Sequence, residues 1–345
     1  MPKSFRFFLL ALIAALALGI AACGDDDDDG GGDGAAQEEA KSIKAGVVTD
    51  IGGLNDRSFN FLANKGLEDA EGDLGVEGRV LLSKSNGDYV PNLTTLATQQ
   101  FDLSISVGFL MGEATATVAG KFPQNSFAIV DFPASALKGK PKNVEGLLFK
   151  EQEAGYLAGY LAGLWAKDNN ANTVSTVGGQ KIPPVDHYIA GFQKGAKDAN
   201  PGIKTLNGYS QDFVAQDKCK EIALDQISQG SKVVFQVAGQ CGLGALDAAK
   251  EKGVQGIGVD ADQSYLGDHI LTSALKKVDV AVFDAIKRAQ DGKFKGGTDV
   301  IATVENGGVG IGQIGPAGTK YESQMNDVQD KIAQGEITDI PDTVK

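Results

Sequence analysis

Residues 44–60 read Lys44-Ala45-Gly46-Val47-Val48-Thr49-Asp50-Ile51-Gly52-Gly53-Leu54-Asn55-Asp56-Arg57-Ser58-Phe59-Asn60. The apolar, β-branched run 43–49 predicts a strand that ends at Asp50. Ser58 is the expected N-cap of a helix reaching about residue 69. Working outward, the same strand, loop and helix recur. Strands are expected at 80–82, 103–107, 127–130 and 144–149, with helices at 90–99 and 114–121. The pattern then restarts. Helices at 151–167, 185–199, 215–228, 243–252 and 278–291 alternate with strands at 173–177, 203–209, 233–237, 256–259 and 271–273. Strands alternating with helices imply parallel sheets covered on both faces. The expected fold is therefore α/β, with two doubly wound parallel-sheet lobes. Ligands of such sheets lie outside the carboxyl ends of the strands.

The residues at those ends are carboxylates, aromatics and glycines. Asp50 follows the first strand, with Asp56, Phe59 and Asn60 close behind. Gly108, Phe109 and Glu113 follow the third, and Asp131 the fourth. Asp212 and Phe213 follow a strand of the second half. Phe235, Val237 and Gly239 belong to another, then Asp260 and Lys276. Carboxylates accept paired hydrogen bonds from vicinal hydroxyls, which suits sugars. Aromatic rings stack on flat bases, worth about 1–3 kcal/mol each. Each residue also has a purely structural role open to it. Asp50 and Asp260 could cap helices, and Phe59 and Phe235 could be core. The run Gly239-Gln240-Cys241-Gly242-Leu243-Gly244 is spaced G-x-x-G-x-G, not as a dinucleotide loop, so no cofactor is expected.

The N-terminus reads as an address. Lys3 and Arg6 precede an apolar run from Phe7 to Ile20, then Ala21, Ala22 and Cys23. The run is shorter than the roughly 20 residues of a spanning helix, so 1–22 is expected to be a cleaved signal. Ile20-Ala21-Ala22-Cys23 resembles a bacterial lipobox, which makes Cys23 the lipidated first residue. Residues 23–41 carry Asp25 to Asp29 and Gly30 to Gly32, an acidic tether that buries nothing. It lacks the shaped loop of a calcium site, and no metal is expected. The chain of 345 residues has a net charge of −13. Loss of Lys3 and Arg6 takes the mature chain to −15, and eight of those charges (Asp25 to Asp29, Asp33, Glu38, Glu39) lie in the tether. The folded part carries −7. Acidity excludes nucleic acid as a partner and disfavours a phosphorylated ligand.

The chain resembles the basic membrane protein (BMP) family, lipoprotein substrate-binding subunits of ABC importers of purine nucleosides. The resemblance runs from about Lys44 to Gly310. It rests on Val48 to Gly53 with Asp56, Ser58, Phe59 and Asn60, on Glu153-Ala154-Gly155-Tyr156-Leu157-Ala158-Gly159, and on Val177-Gly178-Gly179. Gly191-Phe192, Gly195 and Asn200-Pro201 continue it, and the block Ile257-Gly258-Val259-Asp260 with Asp262-Gln263, Thr272-Ser273 and Lys276 completes it. It implies the periplasmic binding protein type I architecture, with lobes that close about a hinge. Expected lobes are 42–150 plus about 275–300, and 151–274 plus about 301–345. The resemblance implies a purine held between Phe59 and Phe235, ribose on Asp260, and further contacts from Asp50, Asn60, Val237, Gly239 and Lys276. A base-contacting acid is expected near Glu113, where Asp is commoner. The ligand would be inosine, guanosine or adenosine, the partners an ABC permease and ATPase, and the protein a monomer on the extracytoplasmic face, held to the cell membrane through Cys23.

Cys219 and Cys241 both fall at the carboxyl edge of the second half. An extracytoplasmic site permits a disulfide. It would close a loop of about 22 residues, worth roughly 3 kcal/mol in the chain-entropy model. Two free buried thiols are the alternative. The competing functions are a binder of another polar ligand such as a pentose, a surface-anchored nucleoside hydrolase using Asp50, Asp56, Asp260 or Asp262, and a sensor or adhesin built on the same lobes. His187, expected on a helix surface, and His269, at a strand start, lie in no motif.

Overall fold

The computed structural model describes residues 42–344. The signal, Cys23 and the tether lie outside the described residues. The first half comprises β1 (Lys44–Val48), α1 (Phe59–Leu74), β2 (Glu77–Leu81), α2 (Tyr89–Thr98), β3 (Leu103–Ser106), α3 (Gly112–Lys121), β4 (Ser126–Val130) and β5 (Val144–Phe149). The second comprises α4 (Glu151–Asp168), β6 (Thr173–Gly178), α5 (Pro183–Ala199), β7 (Lys204–Tyr209), α6 (Gln216–Ser228), β8 (Val233–Val237), α7 (Gly239–Lys252), β9 (Gln255–Asp260) and β10 (Ile270–Lys276). The chain closes with α8 (Val278–Gln290), β11 (Asp299–Ala302), β12 (Val309–Ile311) and α9 (Glu322–Ala333).

Two six-stranded sheets result, ordered β11-β5-β4-β3-β1-β2 and β12-β10-β9-β8-β6-β7. The first is parallel throughout. In the second, β12 runs antiparallel to β10. The central strands are buried on both faces; β8 is almost wholly apolar, whereas β3 and β6 interleave Ser and Thr, whose buried hydroxyls bond internally, as Ser106 does with Thr115 and Ser175 with Ser231, at 2.7 Å each. Strand order places β1 and β3, and likewise β6 and β8, side by side. The loops after them open into a crevice at each switch point.

The long helix α4 explains its glycines by what it touches. A Cβ on Gly155, Gly159 or Gly163 would stand 2.2, 2.0 and 2.5 Å from the carbonyl oxygens of Tyr188, Phe192 and Ala196 in α5. Gly191 and Gly195 of α5 meet Gln152 and Tyr156 of α4 in the same way, at 2.1 Å each. Glycine at i, i+4 and i+8 lets the two backbones touch, a closeness no other residue allows.

Three segments carry the described chain between the sheets: 149–151, 276–278 and 302–309. They are knitted together. Lys150 N–H donates to Ala302 C=O and Lys277 N–H to Gly308 C=O, at 2.9 Å each. Val304 N–H donates to the Glu153 carboxylate at 2.7 Å.

The structure departs from expectation in several places. β11, β12 and α9 add to the expected elements; β11 is an edge with Val300 and Ile301 exposed, whereas α9 buries Met325, Val328 and Ile332 at helical spacing. α7 starts at Gly239 rather than 243. Ser58 occupies the N-cap position of α1, yet its hydroxyl makes no cap bond. Asp56 caps instead, its carboxylate accepting from the backbone N–H of Ser58, Asn60 and Phe61 at 3.1, 2.7 and 3.1 Å. A charged acceptor outcompetes a hydroxyl for orphan helix donors.

Candidate ligand-binding cleft

The carboxyl ends of both sheets flank a cleft with about 620 Å³ of atom-free space, part of it open to solvent. The first lobe lines it with Asp50, Ile51, Asp56, Phe59 and Asn60 from the β1–α1 connection, Gly108 and Phe109 after β3, and Asp131 after β4. The second lobe supplies Tyr188 of α5, Phe213 between β7 and α6, Val237 to Gln240 at the β8–α7 junction, Asp260 ending β9 and Lys276 ending β10.

Local backbone explains these placements. Gly108 has φ +115°, and a Cβ there would stand 2.7 Å from Asp50 Oδ2 and 3.3 Å from the Phe59 ring. Only glycine leaves room for both side chains. Asp131 and Asp260 hold left-handed backbone at φ +68° and +61°. Each ends a strand of a different lobe, and such sparsely populated geometry concentrates at functional sites.

The electrostatics are dominated by buried carboxylates. The backbone N–H of Asp50 donates to Asn60 Oδ1 at 2.8 Å, and the Tyr89 hydroxyl donates to the Asp50 carboxylate. Burial nonetheless pushes Asp50 up to about 6. Asp56 is raised for the same reason. Asp260 accepts from the Tyr188 hydroxyl at 3.1 Å, and burial carries it to about 7 against the pull of Lys276. Desolvation is the common cause: low polarity around a carboxylate favours its neutral form.

Lys276 is the cation at the centre. Its ammonium lies 2.6 Å from Asp131 and 2.9 Å from Glu151, with all three side chains nearly inaccessible. It also sits 5.1 Å from the centre of the Phe59 ring and 4.8 Å from that of Phe149. Three buried acids hold it protonated, well above the usual lysine range. Glu151 passes its second oxygen to His187 Nδ1 at 3.0 Å, so Lys276 and His187 together keep it below the ordinary carboxylate range. His187 is thus no simple surface histidine. Its imidazole is raised by Glu151 against its own desolvation. The cleft offers many acceptors, one fully engaged cation and aromatic faces. Its chemistry matches a neutral, hydroxyl-rich ligand with a flat portion; a phosphate would meet repulsion.

A family model described as the Bmp family, "ABC transporter substrate-binding protein PnrA-like", matches residues 43–343. The chain belongs to the Bmp family. An ABC transporter nucleoside-binding protein, BmpA of Lactococcus lactis, is 34% identical over 322 residues, 87% of either chain. An uncharacterized lipoprotein of Pyrococcus abyssi is 36% identical over 281 residues, 78% of this chain and 69% of that one. An ABC transporter solute-binding protein of Aeropyrum pernix K1 shares the fold with a TM-score of 0.78 at 27% identity, covering 87% of this chain and 94% of its own. As a Bmp-family member, the chain is a solute-binding protein of ABC transporters with periplasmic binding protein type I architecture.

In this Bmp-family cleft, Asp50, Phe59, Asn60, Val237, Gly239, Asp260 and Lys276 come together. Phe235 and Glu113 do not join them. Phe235 is wholly buried inside β8, its ring centre 5.2 Å from that of Phe192 and 6.1 Å from that of Tyr188. A mid-strand side chain points at the covering helices; only the last residue, Val237, reaches the cleft edge. The second-lobe aromatic that does line the cleft is Phe213. Glu113 lies exposed in the first turn of α3. The first-lobe acid that reaches the cleft after β4 is Asp131. Asp131 directly follows β4 and Phe213 lies in the loop after β7, so the strand-end rule points to both. Tyr188, one residue past His187 on α5, had no such signal. Cys219 and Cys241 are joined as a disulfide with Cα atoms 5.6 Å apart.

Proposed function

We propose that this Bmp-family chain is a lipid-anchored extracytoplasmic solute-binding protein that captures purine nucleosides between its lobes and hands them to an ABC permease and its ATPase. The observation that carries the ligand class is the pairing of Asp260 and Lys276 at the second lobe's strand ends with aromatic rings, Phe59 and Phe213, from the two lobes. Asp260 would accept from ribose hydroxyls, and the rings would flank the base. The nucleoside-binding relative BmpA supports the same ligand class. The proposed lobes are 42–150 with about 275–300 and 151–274 with about 301–345. Anchoring would run through Cys23, and the protein would act as a monomer.

Calorimetry with inosine, guanosine, adenosine and D-ribose tests this. Nucleosides should bind at least 100-fold more tightly than ribose, because ribose leaves the aromatic surfaces unused. Ribose binding as tightly as inosine would replace the reading with a pentose binder. The raised Asp50 and Asp260 also fit an acid–base pair, the observation behind a nucleoside hydrolase. Free hypoxanthine released from inosine by the purified protein would establish that activity.

A further inference from the structure

We propose that the Cys219–Cys241 disulfide is a positioning device for the ligand: it holds the 210–215 loop on α7 and so presents the Phe213 ring to the cleft before ligand arrives. The inference rests on the reading of Phe213 as a ligand wall.

The loop is held from three sides. The Phe213 carbonyl accepts from the backbone N–H of Cys241 at 3.1 Å. Asp212 Oδ1 accepts from Val214 and Ala215 N–H at 2.8 and 3.1 Å, turning the chain into α6. The ring lies on Gly179, where a Cβ would come within 2.3 Å of it. These contacts require α6 and α7 to stay in register; beside the disulfide, α6 has for this the solvent-facing Lys220, 3.2 Å from both Asp247 and Glu251 of α7, and the partly buried Ile222, Leu224 and Ile227. Its buried residues are Cys219, Ala223 and Gln226. Gln226 fastens the C-terminal half by donating to Thr176 C=O at 2.9 Å. In the N-terminal half, which continues the Phe213 loop, Cys219 is the buried side chain. The bridge therefore ties the start of α6 to the first turn of α7. There, Gly244 also passes so close to Gln216 that a Cβ would stand 1.9 Å from its carbonyl oxygen. Cys241 carries both the disulfide and the N–H that binds Phe213, so the cross-link acts on the wall through a single residue. Fixing a binding loop in its bound form removes an ordering cost from association.

The test compares wild type with C219A/C241A, each alone and with F213A. Hydrogen exchange on the ligand-free proteins should show faster exchange over 210–218 in C219A/C241A, with β6 and β9 unchanged. Inosine affinity at 15 °C should fall about tenfold, the scale of ordering roughly one residue. In the F213A background the same change should alter affinity less than twofold, because no wall remains to be positioned. Unchanged exchange over the loop, unchanged affinity, or an equal loss in the F213A background would each overturn the inference. The last result is what a bridge serving stability alone produces. If C219A/C241A does not fold, wild type held reduced by a phosphine gives the same comparison. Wild type that fails to bind inosine would overturn the nucleoside reading, and the exchange comparison, which needs no ligand, would still decide this inference.

Discussion

Replacing Lys276 by Met tests how the centre of the cleft is held. The ammonium stands 2.6 Å from Asp131 and 2.9 Å from Glu151, both almost fully buried. Methionine conserves the apolar stem and removes the charge, leaving two carboxylates in a dry site with His187 as the remaining neighbour of Glu151. Breaking a buried ion pair on one side costs about 3–5 kcal/mol. The penalty depends on pH. Without the ammonium, both acids have folded pKa values raised above their unfolded values near 4. Such a group destabilises the fold fully above its folded pKa and not at all below its unfolded one. The deficit of K276M relative to wild type should therefore be largest at pH 8 and shrink by more than half at pH 5. Urea unfolding followed by the fluorescence of Trp165, the single tryptophan, measures it. D131N/K276M should recover part of the loss, since Asn tolerates the left-handed backbone of Asp131. A deficit below about 1 kcal/mol at pH 8, or one that does not shrink toward pH 5, would refute a network held by buried charge.

Four further outcomes are expected. F213A should weaken inosine binding at least tenfold with little change in melting temperature. F235A should do the reverse, costing about 3–5 kcal/mol of stability as its ring leaves a cavity against Phe192 and Tyr188; tenfold weaker binding by a well-folded F235A would restore it as a wall. G159A should force α4 and α5 apart and lower the melting temperature by several degrees, since the new methyl would sit 2.0 Å from Phe192 C=O; a melt matching wild type in circular dichroism would count against backbone contact there. Inosine affinity should rise from pH 6 to pH 8. Hydroxyls donated to Asp260 favour its ionised form, and burial places its titration at about 7, so protons must leave on binding below that pH. D260N should flatten the profile, and tighter binding at pH 6 than at pH 8 would contradict the assignment.

The legible parts of the sequence were those where one physical cause acts alone. Strands buried on both faces, such as β3 and β8, had no competing interpretation, and the acids that follow β1 and β9 were found because the topology dictates where to look. Phe235 shows the opposite case. An aromatic in the right neighbourhood was assigned to the cleft, although a residue two places before the strand end faces the covering helices. Asp131 and Phe213 satisfied the positional rule and were passed over for residues favoured by the resemblance. β11 was hidden because an edge strand with half-exposed and exposed residues has no alternation. The cap at Asp56 was hidden because Ser58 occupies the expected position, and only the backbone path decides which acceptor reaches the N–H groups. His187 was invisible because its partner, Glu151, lies 36 residues earlier in the chain.

The three crossings between the lobes have a consequence for how affinity and selectivity can vary. The cleft surface is divided between two bodies, so an observed dissociation constant combines the contacts made in the closed state with the fraction of molecules able to close. Substitutions in 303–308, none of which lines the cleft, alter only that fraction. They should scale the affinity for every ligand by one common factor and leave the ranking among bases untouched. Substitutions at Phe59, Asp131 or Phe213 act on the contacts and reorder that ranking. Residues 303–308 can in this way drift in tightness without disturbing the choice of ligand, whereas the crossings that carry Glu151 and Lys276 join the two.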